Sequence, residues 1–336
     1  MTLALAEAAR NINIAVENKD GGTRMKRLLF VYNARSGKSQ VKRYLADIID
    51  NFIKAGYYVE TYPTQGIRDA KRQIAGRGHN YDLIVVAGGD GTLNEAIAGM
   101  MTLGNEISIG YIPTGSTNDF AVGLKLPKNI LQASEIAVNG TPTCLDVGGF
   151  NRKTFIYIAA FGAFTDVSYS TPQDLKNLLG HSAYMIEAIK EFGNIMTTHH
   201  FKIERENGQI VEDDFIYGMV TNSVSAGGFK GITGKNICLN DGMFEVTLLK
   251  KPHNPLELQD LVTSLLIQKK CKNIISFKAS KLKFWSDEKV KWVIDGEYAG
   301  NPKRVLIRNY NCAVSVMSGL EDTRKEEILK KVKNIF

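Results

Sequence analysis

Through the first 138 residues, short apolar runs alternate with stretches whose apolar residues recur three and four positions apart. Leu28–Tyr32 reads as a buried strand, and Leu45, Ile48, Ile49, Phe52 and Ile53 give the helix after it one apolar face. A second strand is predicted over Tyr57–Tyr62 and a helix over Ile67–Gly76. A third strand, Leu83–Val86, stops on two glycines, and Leu93, Ala96, Ile97 and Met100 predict a helix beginning at Thr92. Strand and helix in alternation predict an α/β doubly wound domain with a parallel sheet. Near Cys144 the period changes. Strands are expected at Thr154–Ala160, Phe201–Arg205, Phe215–Asn222, Gly242–Leu249, Ile274–Ala279, Leu282–Trp285, Lys291–Ile294 and Val305–Ile307. The alternation Lys281-Leu282-Lys283-Phe284-Trp285 is that of a half-buried antiparallel strand. An all-β second domain, a sandwich, follows, with one helical insertion over Ser182–Met196.

The third strand ends in Gly88-Gly89-Asp90-Gly91-Thr92-Leu93-Asn94-Glu95. Glycines let a backbone approach an anion closely, and the following helix offers unpaired N–H groups at its positive end. An acid between the glycines would repel bare phosphate, so Asp90 makes sense beside Mg²⁺ travelling with a nucleotide, that is, ATP. No Gly-Lys-Ser/Thr follows, so this is not a P-loop, and the dinucleotide fingerprint has no acid here. The plain alternative is a tight strand–helix turn. A second apolar strand also ends in a polar, glycine-bearing turn, Tyr111-Ile112-Pro113-Thr114-Gly115-Ser116-Thr117-Asn118-Asp119-Phe120-Ala121. Parallel strands place such turns along one edge of a sheet, where ligands bind. Thr61 and Thr64, near the end of the second strand, are placed to meet an adenine or ribose edge. Trp292-Val293-Ile294-Asp295-Gly296-Glu297-Tyr298 and Asn240-Asp241-Gly242-Met243 read, by spacing alone, as hairpin turns.

Together, Gly88–Glu95 and Pro113–Ala121 resemble the diacylglycerol kinase catalytic domain, and within it the bacterial soluble lipid kinases; the resemblance runs from about Met25 to about Gly319. The first motif would also admit NAD kinases, whereas the Gly115–Ala121 stretch favours a lipid kinase. Asn33-Ala34-Arg35-Ser36-Gly37 resembles the family's Asn-Pro-x-Ser-Gly turn with Ala34 in place of proline, and Lys38 follows it. The resemblance implies ATP and Mg²⁺ as cofactors, with Asn33, Ser36, Gly37, Lys38, Gly88, Gly89, Gly91, Thr92, Asn94, Gly115 and Ser116 on the nucleotide. Asp90 and Asp119 would organise the metal. It places the proton-accepting carboxylate in the second domain, across a cleft, on Asp295 or Glu297 without choosing between them. At Asn240–Val246 it implies a structural Mg²⁺ held by Asp241 and by carbonyls of Cys238 and Met243. It divides the chain into an appended segment, 1–24; a nucleotide-binding domain, 25–143 and 308–336, to which the apolar face of Asp322–Phe336 returns; and a lipid-substrate domain, 144–307. The implied reaction is phosphorylation of a membrane lipid hydroxyl, diacylglycerol to phosphatidic acid or a related conversion. The alternatives are a NAD kinase-like enzyme and a nucleotide-binding regulator without turnover.

Composition changes this picture only at its edges. Of 336 residues, 44% are hydrophobic, enough for two cores, and no apolar run nears the roughly 20 residues of a membrane span. A net charge of +7 suits anionic ligands or an anionic membrane surface without compelling nucleic acid. Lys269, Lys270, Lys272, Lys278, Lys281 and Lys283 are the basic concentration expected to dock there. Cys144, Cys238, Cys271 and Cys312 form no Cys-x-x-Cys and read as free thiols in a reducing cytosol. His199-His200 lacks a third ligand at metal spacing. The expectation is a cytoplasmic protein, peripheral at the inner membrane face, with a homodimer compatible with its exposed strands.

Overall fold

The computed structural model describes residues 24–104, 107–115, 119–162, 197–222, 225–226, 229–230, 238–267, 269 and 271–320. The expected helices at Ser182–Met196 and Asp322–Phe336 and the segment 1–23 lie outside these residues. The chain divides into two units. The first takes in the described residues of 24–115, 124–143 and 315–320, and the second 119–123 and 144–314.

The first unit runs β1 (Lys26–Tyr32), α1 (Gln40–Arg43), α2 (Leu45–Lys54), β2 (Tyr57–Pro63), α3 (Asp69–Arg77), β3 (Leu83–Gly88), α4 (Asp90–Met100) and β4 (Ser108–Pro113). A short α5 (Asp119–Gly123) belongs to the second unit, and α6 (Ile130–Asn139) closes the run. The strands are parallel in the order β2-β1-β3-β4, with registers Lys26↔Tyr57, Leu28↔Leu83 and Leu83↔Ser108; Ser315 and Val316, near the end of the chain, add a fifth parallel strand beside β4. Every residue of β3 is buried, as expected of a strand covered on both faces. Helix α2 lays Ile48 and Phe52 on the sheet, Phe52 edge-on to Phe30 with ring centroids 5.3 Å apart. Helix α6 starts where the Asn129 side chain accepts from the N–H groups of Leu131 and Gln132 (3.0 and 3.1 Å). The chain steps outward from β1 to β2 and then returns to the other side of β1 as β3. The carboxyl ends of β1 and β3 therefore form a topological switch point, where an open α/β sheet leaves a crevice.

The second unit is β-rich. After β5 (Thr141–Phe150), β6 (Lys153–Phe155), β7 (Ile158–Gly162) and β8 (His199–Arg205), the long β9 (Ile210–Thr221) pairs antiparallel with β7, β8 and β12 (Phe244–Lys250). Between β9 and β12, Ser225–Ala226 (β10) and Phe229–Lys230 (β11) form a small pair. Beyond β12 come α7 (Pro255–Ile267), β13 (Ile274–Ala279), β14 (Lys281–Trp285), β15 (Trp292–Ile294), β16 (Glu297–Gly300) and β17 (Arg304–Ser318). The core is aromatic: Phe161 lies 4.4 Å from Phe201 and 4.9 Å from Trp292, with Phe150, Phe155, Phe215, Phe244 and Phe284 around them.

Two expectations need correction. Helix α7 lies in a stretch for which no element was expected, in a domain expected to be all-β apart from the insertion at Ser182–Met196. Its start carries a capping-box signal, Asn254-Pro255-Leu256-Glu257: the Glu257 N–H reaches Asn254 Oδ1 at 2.9 Å, and the Glu257 carboxylate accepts from His253 N–H at 3.0 Å and from Lys272 Nζ at 2.8 Å. The His253 N–H first, and Lys272 second, pull the Glu257 carboxyl down to about 2. What this carboxylate contributes is complete above the ordinary carboxylate range and fades only as pH falls toward 2. Asn254→Ala should cost about 1 kcal/mol, read as a fall in Tm of about 2–4 °C for a chain of this class.

The second correction concerns the cysteines. Cys144 and Cys312 are joined in a disulfide, with Cα atoms 5.1 Å apart and a sequence separation of 168; Cys238 and Cys271 are free. A pairing at that separation is made by strand packing and leaves no mark in local spacing.

Candidate active site

The two glycine-bearing turns and the first loop of the first unit converge at the switch point. After β1, Asn33 donates its N–H to the Ala87 carbonyl (2.8 Å), its Nδ2 to Thr92 Oγ1 (3.4 Å), and accepts the Arg35 N–H on Oδ1 (3.0 Å). This local turn brings Ser36 round so that Thr114 Oγ1 donates to Ser36 Oγ at 3.0 Å. Gly37 takes a φ of +55°, and a Cβ there would lie 2.0 Å from the Thr114 carbonyl oxygen. From β4, the Thr114 N–H and the Tyr111 hydroxyl both donate to the Gly88 carbonyl, at 2.9 and 3.1 Å. A Cβ built on Gly89 would point between Gly115 Cα (3.6 Å) and Ser36 Oγ (3.8 Å). The floor of the crevice is therefore bare backbone ringed by hydroxyls.

Helix α4 begins at Asp90, two residues before the predicted start at Thr92, with Gly89 as N-cap and no capping side chain. Its first N–H groups have no partner within the helix. Asp90 and Gly91 thus belong to the first helical turn, where a carboxylate is favoured by the helix dipole. Asn94 lies one turn further along the same helix. The hydroxyls, open backbone and helix start fit the phosphates of a nucleotide.

Other expected nucleotide residues fall differently. Thr61 is exposed on the outer strand β2 opposite Phe30, separated from β3 by β1, and is not part of this cradle. The backbone of Lys38 lies in the 3₁₀ turn Gly37–Ser39, but its side chain and all of Ser116 lie outside the described residues. Asp119 opens α5 in the second unit. Sequence reading missed Tyr111 and Thr114. Their signal was a hydroxyl-bearing side chain at the end of an otherwise apolar strand.

In the second unit the acidic hairpin separates its two carboxylates. Asp295 (φ 45°) and Gly296 (φ 80°) form the two-residue turn between β15 and β16, both with positive φ as a primed turn requires. Asp295 is buried, and its carboxylate accepts three backbone N–H groups: Ile156 at 2.7 Å, Tyr157 at 3.0 Å and Ile158 at 3.1 Å. Glu297 and Tyr298 are exposed. Asp295 is built into the fold, and Glu297 is the carboxylate presented to the outside.

At the Asp241 turn the carboxylate is engaged by the protein's own groups. One Asp241 oxygen accepts the Met243 N–H (3.0 Å), and the other lies 2.8 Å from Lys278 Nζ, which also reaches Glu245 at 3.2 Å. Cys238 is exposed, its thiol turned to Asn240 Oδ1 at 3.0 Å. Among the described residues no group of three or more His, Cys, Asp or Glu side chains could hold a metal. The turn is held from below by Asp146. That buried carboxylate accepts from Gly242 N–H (2.7 Å), Cys312 N–H (2.7 Å), Asn311 (3.0 Å) and Asn309 (3.2 Å).

Burial, opposed by Lys278, raises the Glu245 carboxyl above its ordinary value. Lys278→Met should cost about 1–2 kcal/mol, the value of a half-exposed pair left with a buried acid. A raised acid favours folding below its unfolded value and loses that advantage as pH rises through its folded value. The deficit of the variant should therefore be larger at pH 8 than at pH 5 in denaturant titrations.

Three of the six lysines of the expected basic docking face are paired with acids. Lys272 pairs with Glu257, Lys278 with Asp241 and Glu245, and Lys283 with Glu204 at 2.7 Å. His199 and His200 face Glu288 and Asp214, at 2.7 and 2.9 Å. Among the described residues no helix is long and apolar enough to cross a membrane.

The chain resembles known proteins over most of its length. The sequence model of the diacylglycerol kinase catalytic domain matches residues 27–150. A diacylglycerol kinase of Bacillus subtilis (strain 168) is 36% identical over 283 residues, covering 82% of this chain and 91% of its own. One from Staphylococcus saprophyticus is 33% identical over 310 residues, covering 91% and 99%. A crystal structure of a diacylglycerol kinase from Bacillus anthracis str. Sterne covers 88% of this chain and 98% of its own with a TM-score of 0.67; at 21% identity it speaks to the fold alone.

Proposed function

The chain belongs to the diacylglycerol kinase family, phosphotransferases with an alcohol acceptor, and on that premise we propose that it transfers the γ-phosphoryl group of MgATP to the hydroxyl of a membrane lipid, in the first place diacylglycerol, giving phosphatidic acid and ADP. The observation that carries the nucleotide half is the cradle of Gly88, Gly89, Ser36 and Thr114 at the switch point of a parallel sheet. Phosphoryl transfer calls for donors on the phosphates and a group to take the hydroxyl proton. Asn33, Ser36, Gly37, Lys38, Gly115, Ser116 and the α4 start, with Gly91, Thr92 and Asn94, hold the phosphates. Asp90 and Asp119 meet the Mg²⁺ that arrives with ATP. Glu297 accepts the proton as the lipid oxygen bonds to phosphorus and the bond to ADP breaks, and Asp295 keeps the turn that presents Glu297 in shape. The protein would work at the cytoplasmic face of a membrane, on a lipid that does not leave it.

The test is transfer of labelled γ-phosphate from ATP to vesicles containing diacylglycerol, phosphatidylglycerol, a sphingoid base and a polyprenol, with NAD as a separate acceptor. Labelled phosphatidic acid supports the reading. Label on another lipid alone moves the substrate, label on NAD alone replaces the reading with a NAD kinase, and ATP binding without turnover replaces it with a regulator.

A further inference from the structure

We propose that Tyr111 is a positioning residue for the phosphate cradle, holding the Gly88 carbonyl so that the next peptide N–H is turned toward the nucleotide; this rests on the nucleotide reading above. Tyr111 sits on β4 opposite Val86 of β3, and none of its surface is exposed. Its ring fills space that a phenylalanine would fill equally well. Its hydroxyl does something a phenylalanine would not: it donates to the Gly88 oxygen at 3.1 Å, where the Thr114 N–H donates at 2.9 Å. A carbonyl oxygen has two lone pairs, so both acceptor directions of Gly88 are taken.

The consequence follows from the peptide unit itself. It is planar and trans, so the Gly88 C=O and the Gly89 N–H point in opposite directions from one rigid plane. A carbonyl pinned toward β4 by two donors fixes the N–H on the other side of that plane. Gly89 caps α4, and the cap, extended at φ −84° and ψ −178°, aims the first helical N–H groups. Glycine on both sides of the peptide makes the pinning necessary, since neither residue has a side chain to limit rotation. Burial, with the charge of Asp90 second, pushes the Tyr111 phenol far above its ordinary range, so it remains a donor at every pH at which the protein is folded.

Tyr111→Phe removes one hydrogen bond and keeps the ring. Binding of a fluorescent ATP analogue should weaken about tenfold, with KM for ATP rising in parallel and KM for lipid unchanged, all measured well below the melting temperature of either protein. A variant with a lower Tm but unaltered ATP affinity would make Tyr111 a packing residue and overturn the inference. Failure of the wild type to bind the analogue would instead remove the nucleotide reading on which it stands. Tyr81→Phe, which removes the hydroxyl that donates to Glu60 at the opposite end of β3 from Gly88, should bind the analogue as the wild type does; weakening equal to that of Tyr111→Phe would show general sensitivity of the sheet to a lost tyrosine hydroxyl and would also overturn the inference.

Discussion

Glu297→Gln protein should fold, melt within a degree or two of the wild type, bind ATP, and transfer phosphate to lipid about 10²–10⁴-fold more slowly, the range expected when a positioned base is lost. The argument is one of contrast inside a single turn. Glu297 is exposed on β16, so the loss of its charge removes nothing from the fold. Asp295, two residues earlier, is buried and accepts three backbone N–H groups. Asp295→Asn presents an amide NH₂ to donors and leaves at least one of them unpaired, at about 1–3 kcal/mol. That variant should lose stability first, with activity falling in proportion to folded protein. Phosphate transfer together with thermal melts of both variants would separate the roles. If Asp295→Asn kept its Tm and lost all turnover while Glu297→Gln remained active, the assignment would be reversed.

The second large effect belongs to the paired glycines. A Cβ on Gly89 meets nothing closer than 3.6 Å, so Gly89→Ala should fold normally. The added methyl would nonetheless stand between Ser36 and Gly115, where the phosphate is proposed to lie. A displacement of an ångström at reacting groups costs about 10²-fold, and kcat/KM for ATP should fall by at least that. Gly88→Ala should behave in the opposite manner. Its Cβ would lie 2.5 Å from Thr92 Cβ, closer than real side chains approach, so the start of α4 must shift and stability should drop. Binding of ATP and denaturant titration on the two variants would tell a filled site from a displaced helix. Gly89→Ala with ordinary ATP affinity would remove the cradle from the mechanism.

The parallel sheet was legible because Leu28–Tyr32 and Leu83–Val86 are uninterrupted apolar runs, which a strand covered on both faces demands. The meeting of the two glycine-bearing turns was legible as well, since parallel strands bring the turns at their carboxyl ends to one edge of the sheet. Helix starts were less so: Asp90 and Gly91 carry no apolar side chain, so the periodic signal begins only at Leu93, after the helix has begun. Helix α7 was missed although Asn254 and Glu257 announced it, because strands flank it on both sides and set the pattern of the region. Asp295 and Glu297 could not be told apart from sequence, since both are carboxylates beside one glycine and only burial distinguishes them. The ion pairs of Lys272, Lys278 and Lys283 bring together residues up to 79 positions apart, and no local pattern encodes them.

The disulfide has a topological meaning. Cys144 is the first residue of the main segment of the second unit, and Cys312 is the third from its last, Val314. Oxidised, that segment is a covalent ring whose entrance and exit are welded together. A protease cut at any single point between the two cysteines would open the ring without releasing a piece, and the protein would run as one band until a reductant was added. In a reducing compartment the ring becomes an ordinary open loop held by packing alone, and its unfolded ensemble grows accordingly. Samples handled with and without thiols are therefore two covalent species of one sequence, with different tolerance to a single nick.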